Sequence, residues 1–198
     1  MLVREVMTSP AITVLSTDPV RRAVRVLYAE GITAAPVLDE SGALVGIVSE
    51  MDLLQGEFQP DPRATVRAVP EHATPPPYRV SEVMTREVIT VTPSTDATQL
   101  VDLLVVKRVK SLPVVADDKV VGMVSRSDLM AVLARPDEDL RADALAALAE
   151  QYPFGPSWEV TVRQGVAELR GHAGGHHDQI ADLIVRTVPG IVRVRHLA

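Results

Sequence analysis

One segment of this chain is written twice. Val3-Arg4-Glu5-Val6-Met7-Thr8 returns as Val80-Ser81-Glu82-Val83-Met84-Thr85, and Ile12-Thr13-Val14 returns as Ile89-Thr90-Val91. Pro36-Val37 returns as Pro113-Val114. Gly46-Ile47-Val48-Ser49-Glu50-Met51-Asp52-Leu53 returns as Gly122-Met123-Val124-Ser125-Arg126-Ser127-Asp128-Leu129. The offset is 77 residues up to the Pro-Val pair and 76 after it. The missing residue falls where Asp39-Glu40-Ser41-Gly42-Ala43 becomes Asp117-Asp118-Lys119, and a turn is where a deletion disturbs least. A duplicated unit of this size constrains the fold more than any other feature, because each copy alone has too little core to be stable.

Each copy predicts the same order, β-α-β-β-α. In the first, Ile12–Val14 is a short β segment. Thr17-Asp18-Pro19 opens a helix whose apolar face is Val20, Ala23, Val24 and Leu27, and Gly31 stops it. Pro36–Leu38 and Leu44–Val48 form a hairpin, and Ser49 caps a last helix. In the second copy Ser94 or Thr95 takes the capping place, with Leu100 and Leu104 on the helix. Pro113–Val115 and Val120–Val124 form its hairpin, and Ser125 is its last cap. Hydrophobic residues are 46% of the chain and aromatics only 3%, so the core is aliphatic, which suits α/β packing.

Several function classes drop out. The net charge of −6 disfavours general nucleic-acid binding. The absence of cysteine excludes disulfides, thiolate catalysis and Cys-based zinc sites, and no metal site is expected. There is no P-loop, dinucleotide fingerprint or His-Glu-x-x-His, so no catalytic residue is assigned and the chain reads as a non-enzyme. No run approaches the roughly 18 apolar residues of a membrane span. The N-terminus has no signal-peptide pattern, and a cytoplasmic location is expected.

The ordered pair of motifs resembles a tandem pair of CBS domains (cystathionine-β-synthase domains), a Bateman module, over roughly residues 1–134. The resemblance implies two repeats, 1–57 and 80–135, packed as a pseudo-twofold pair. The Pro-rich stretch 58–79 between them is read as a spacer. It also implies a regulatory adenosine-containing ligand, AMP or ATP or S-adenosylmethionine, in equivalent clefts at the seam, and a homodimer. The family's Ser and Asp map onto Ser49 and Asp52, and onto Ser125 and Asp128. Physically, a cap hydroxyl, a carboxylate for ribose hydroxyls and a helix start for phosphate then meet at one place. The plain alternative is that these residues are helix caps and nothing more.

The implied sites differ. The first takes Ile12, Val14, Ala34, Ala35, Pro36, Ser49 and Asp52. The second takes Ile89, Val91, Lys110, Ser111, Leu112, Pro113, Ser125, Arg126 and Asp128. Glu50 of the first copy is replaced by Arg126 in the second, and uncharged Gly31–Ala35 by a segment with Lys107, Arg108 and Lys110. The second site is therefore the favoured phosphate site. Lys107 and Arg108 read as solvated cations at a helix C-terminus.

After Arg135-Pro136 the pattern changes to α-β-β-α-β: a helix from Asp137-Glu138-Asp139 through Leu140–Glu150, strands Trp158–Val162 and Val166–Arg170, a helix Asp178–Val188, and a strand Ile191–Leu197. Ile180, Leu183, Ile184 and Thr187 form the expected buried face of the second helix. This order, with Val-Pro-Gly-Ile-Val, resembles a BON domain over residues 137–198. The resemblance implies contact with a phospholipid, envelope or protein partner. His172, His176 and His177 read as a solvated glycine-rich loop, and Pro136 as a boundary at which the tail separates from the repeats. The chain thus reads as an adenine-nucleotide sensor, or else as a dimerising scaffold acting through its tail.

Overall fold

The computed structural model describes residues 1–55, 57–58, 61, 63, 76–171 and 174–197. Most of the proline-rich spacer, including Pro60, Pro62, Pro70 and Pro75, lies outside the described residues, as does His172. The chain divides into two compact units. One comprises Met1–Met7, Ser94–Lys110 and Ser125–Ala198; the other comprises Thr8–Pro93 and Ser111–Val124. The fold is mixed α/β, as the repeat pattern predicts.

In the second of these units β1 (Val14–Leu15), α1 (Val20–Glu30), β2 (Ala34–Leu38), β3 (Leu44–Ser49) and α2 (Glu50–Leu54) follow in order. β1 pairs parallel to β2, and β2 pairs antiparallel to β3 with Ala34 opposite Ser49. Val20, Ala23 and Leu27 of α1 are buried against Val14, Val37 and Val48, with Val24 partly covered. Gly31 ends α1 in the left-handed region (φ 63°), as expected. The capping prediction fails for this helix. Pro19 is the N-cap, and the Asp18 carboxylate turns back to accept the Leu15 N–H at 2.9 Å and pair with Arg22.

In the other copy the short helix α3 (Val80–Val83) precedes α4 (Ala97–Val106), β4 (Ser111–Ala116), β5 (Lys119–Ser125) and α5 (Arg126–Leu133). The first β segment shrinks to a single parallel bridge, Val91 with Val114. Asp96, not Ser94 or Thr95, is the N-cap of α4, its carboxylate accepting the Thr98 N–H at 2.8 Å. Asp96 stands where the first copy has Pro19, so here the cap residue carries its own acceptor. The one-residue deletion is explained by the turns. Asp39 accepts from Ser41 and Ala43 across a longer turn, whereas Asp117 and Asp118 form a tight one, both at positive φ.

The two copies exchange their leading segments. The Thr8 N–H and C=O bond to Met123 of the second copy, and those of Thr85 bond to Ile47 of the first. Within the other unit Val3 N–H donates to Thr95 C=O and Ala97 N–H to Met1 C=O. The reciprocal pair is Val80 N–H to Asp18 C=O and Val20 N–H to Tyr78 C=O. The repeated Val-Met-Thr motif is therefore an added edge for the other repeat's hairpin. Its neighbour Gly46 is held small by this exchange, since a Cβ there would lie 2.6 Å from the Met84 sulfur.

The C-terminal part comprises α6 (Asp137–Gln151), β6 (Glu159–Arg163), β7 (Val166–Arg170), α7 (Gly175–Thr187) and β8 (Arg193–Leu197). The sheet order is β6-β7-β8, antiparallel then parallel. Leu140, Ala144 and Leu148 of α6 pack on Val160, Ala167 and Leu169. Two sequence expectations are corrected. α7 begins at Gly175, so His176 and His177 are helical rather than in a loop. Its buried face is Asp178, Ala181 and Val185, while Leu183 and Thr187 are exposed. The face is rotated because Asp178 turns inward to accept the Trp158 Nε1–H at 2.9 Å.

Candidate functional site

The two Ser-x-x-Asp motifs fold into the same structure. Ser49 caps α2 from an extended backbone. The Asp52 Oδ2 accepts the Ser49 N–H at 2.8 Å and the Ser49 hydroxyl at 2.7 Å, and Asp52 N–H reaches back to Ser49 Oγ at 3.4 Å. At Ser125 and Asp128 the corresponding distances are 2.7, 2.7 and 3.3 Å. The Glu50 N–H donates to Thr33 C=O, and the Arg126 N–H to Lys110 C=O, both at 3.0 Å. Lys110 and Arg126 are thereby brought side by side, as are Thr33 and Glu50. The Thr33 position was missed in the sequence, since a backbone acceptor has no residue signature.

This geometry narrows what each motif offers. Oδ2 of each Asp already accepts two hydrogen bonds, so among the described residues Oδ1 alone is open. Both oxygens can hold a ribose diol only if the serine hydroxyl swings away. The first-turn N–H groups are also largely used: among the described residues only that of Met51 or Ser127, the second position of each helix, has no partner outside its helix. Beside the second motif the side chains of Lys110 and Arg126 are exposed, and neither makes an ion pair among the described residues.

The apolar residues named from sequence divide by burial. In the first motif's unit Val14, Ala35 and Pro36 are buried, with Val14 and Ala35 in the core, leaving half-buried Ile12 and Ala34 as available wall beside Ser49. The matching residues Val91, Leu112 and Pro113 are buried too, joined by Val91 N–H to Pro113 C=O, while Ile89 and Ser111 are half-buried. Lys107 and Arg108 are exposed at the end of α4, as expected.

A second polar centre lies in the C-terminal part. His196 of β8 places Nδ1 3.0 Å from Asp182 and Nε2 2.9 Å from the Gly171 carbonyl, with Asp178 at 3.7 Å. Both ring nitrogens face acceptors, so the doubly protonated ring fits best. The Gly171 carbonyl foremost, and then Asp182, raise its pKa above the ordinary value. The sequence reading missed this centre, because the expected apolar face of Ile180, Leu183, Ile184 and Thr187 leaves out both Asp178 and Asp182. Among the described residues no cluster of three potential metal ligands forms. No helix among them is long and apolar enough to cross a membrane.

The duplicated repeats, each with a Ser/Asp-capped helix following a hairpin, define a paired-repeat α/β architecture. The CBS-domain model matches residues 3–57 and 80–135, more than half of the chain, and the chain belongs to the CBS-domain family. Among curated relatives, protein MJ1426 of Methanocaldococcus jannaschii is 29% identical, over 67% of this chain and 91% of its own. The inosine-5'-monophosphate dehydrogenase of the same organism is 27% identical, but the chain spans only 22% of its length. Among solved structures, the CBS domain pair of protein MJ0100 in complex with 5'-methylthioadenosine and S-adenosyl-L-methionine has a TM-score of 0.54. It is 26% identical over 67% of this chain and 94% of that one. CBSX2 in complex with AMP has a TM-score of 0.53 and 28% identity, covering 66% and 93%. The family model does not extend to residues 136–198.

Proposed function

We propose that this chain is a non-enzymatic regulatory sensor whose Ser125–Asp128 motif holds an adenosine-containing ligand, with AMP or ATP favoured over S-adenosylmethionine. The observation that carries this is the duplicated Ser–Asp box: each leaves one carboxylate oxygen open, and only the second has Lys110 and Arg126 joined beside it. The bound ligands of the MJ0100 pair and of CBSX2 support the adenosine class. The Asp128 Oδ1 accepts a ribose hydroxyl, and the two cations take the phosphate. The Ser49–Asp52 motif, beside Glu50 on a five-residue helix, is the weaker site.

The exposed Val101, Val105 and Val106 of α4, with Met130 and Leu133 of α5, support a homodimer. The α-β-β-α-β order of the tail supports a BON-like partner domain with its boundary near Pro136. The scaffold reading has one observation in its favour: the cap already uses Oδ2 and most first-turn N–H groups, as a plain helix cap does.

Calorimetric titration of AMP and adenosine separates these readings. The wild type binds AMP about tenfold more tightly, equivalent to about 1.4 kcal/mol, which is a modest value for two exposed charge-assisted contacts. Lys110→Ala with Arg126→Ala removes that preference and leaves adenosine binding in place. Absence of binding by AMP, ATP and S-adenosylmethionine at millimolar concentration overturns the sensor reading.

A further inference from the structure

Helix α5 carries Arg126 and Asp128, yet none of its eight residues is buried. Leu129 and Val132 are only half-buried, so its orientation leans on how its two ends are held. The N-terminal end is continuous with β5 and held by the Ser125 box. The C-terminal end runs within three residues into α6, where four hydrogen bonds and one close approach meet at the elbow. Arg135 donates from Nη1 to the Pro189 carbonyl at 2.7 Å and from Nη2 to Asp143 at 2.5 Å. The Asp137 carboxylate accepts the Gln164 and Gly165 N–H groups of the β6–β7 turn at 2.7 and 2.9 Å. Gly190 sits so close that a Cβ there would lie 2.6 Å from Leu140 and 3.1 Å from the α5 carbonyl of Val132.

The elbow is not filled by side chains. A cavity of about 330 Å³ opens there, bounded by Leu133, Leu140, Gly165 and Val192. Beyond the close approach of Gly190, the angle between α5 and the tail rests on directional bonds, those of Arg135 above all, with Asp137 fixing the start of α6. Arg135 is well placed for this, its side chain only 28% exposed.

We propose that Arg135 and Asp137 are positioning residues through which the C-terminal domain sets the orientation of α5, and so of the Asp128 carboxylate and the Arg126 guanidinium. The inference rests on the ligand reading given above. Coupling of this kind is reciprocal: a ligand on α5 orders the tail, and a partner on the tail changes ligand affinity. The tail is then the output of the sensor and not a separable appendage.

Hydrogen exchange on the full-length chain, read by peptide, tests this with and without AMP. In the wild type AMP slows exchange in 126–133 and, by a comparable factor of about fivefold or more, in 159–197. In Arg135→Met with Asp137→Asn, 126–133 still responds and 159–197 does not. Asp137→Asn alone serves if the double variant loses its native Trp158 fluorescence. Protection confined to 126–133 in the wild type, or transfer that survives in the variant, overturns the proposal. A ligand-free arm separates it from the ligand reading. Val160→Ala, a cavity in the tail core, whose buried cluster holds no α5 residue, must speed exchange in both 126–133 and 159–170. If no nucleotide protects 126–133 but this arm succeeds, the ligand assignment fails and the coupling stands. If 126–133 ignores Val160→Ala, the coupling fails whatever the ligand.

Discussion

Gly190→Ala gives the sharpest structural test, because its cost has two separable parts. Gly190 has φ of 104°, a conformation that side chains rarely adopt. Placing alanine there costs about 1–3 kcal/mol from the backbone alone. The new Cβ also meets the buried Leu140 at 2.6 Å and the Val132 carbonyl at 3.1 Å. Overpacking of a close-packed contact adds about 1–3 kcal/mol. The total is about 2–6 kcal/mol, and for a chain of this length each kcal/mol lowers the midpoint by roughly 2–4 °C. Trp158, the chain's one tryptophan, is buried in the C-terminal core, so its fluorescence reports this region alone. Gly174→Ala is the control: its φ is 100°, yet nothing lies within 4 Å of its Cβ position. Thermal unfolding followed at Trp158 should show Gly190→Ala well below Gly174→Ala, with the gap reporting the packing part. Equal midpoints would refute the close approach of Gly190 to α5 and α6.

Arg108 sits at φ 53° just past the end of α4, exposed. Arg108→Gly should raise stability by about 1 kcal/mol, seen as a higher thermal midpoint, and leave AMP affinity unchanged. His196 has a raised folded pKa, so its contribution is complete below its unfolded value near 6.5 and is lost as pH rises through the folded value. The Trp158-reported midpoint of wild type relative to His196→Gln should therefore fall as pH rises above about 6.5; a constant difference sinks this. By calorimetry, Asp128→Ala should weaken AMP binding more than Asp52→Ala, and equal losses would show that the two motifs were ranked wrongly.

The sequence by itself determined the duplicated β-α-β-β-α order, the Ser49 and Ser125 caps and the α-β-β-α-β tail. Each of these is a local matter of apolar period, capping chemistry or turn residues. Asp117-Asp118 and Gln164-Gly165 mark tight hairpins because the short loops require positive φ at both positions. Where a helix end takes its partner from afar, the local reading failed. Thr17 and Asp18 look like caps, but the carbonyl that accepts the first N–H of α1 comes from Tyr78, at the end of the spacer that leads into the second repeat. The rotation of α7 had the same origin. Leu183 is the more apolar choice for burial, yet Asp178 is taken inward by Trp158 and His196, and the helix turns with it. Tertiary structure alone decided that the Val-Met-Thr segments change places between the repeats. It also decided that Oδ2 of each site aspartate is already engaged, that Arg135 reaches Pro189 and Asp143, and that Asp137 holds the β6–β7 turn. Hydrogen bonds between residues far apart in the chain leave no periodicity in it, and only the folded backbone brings their partners within 3 Å.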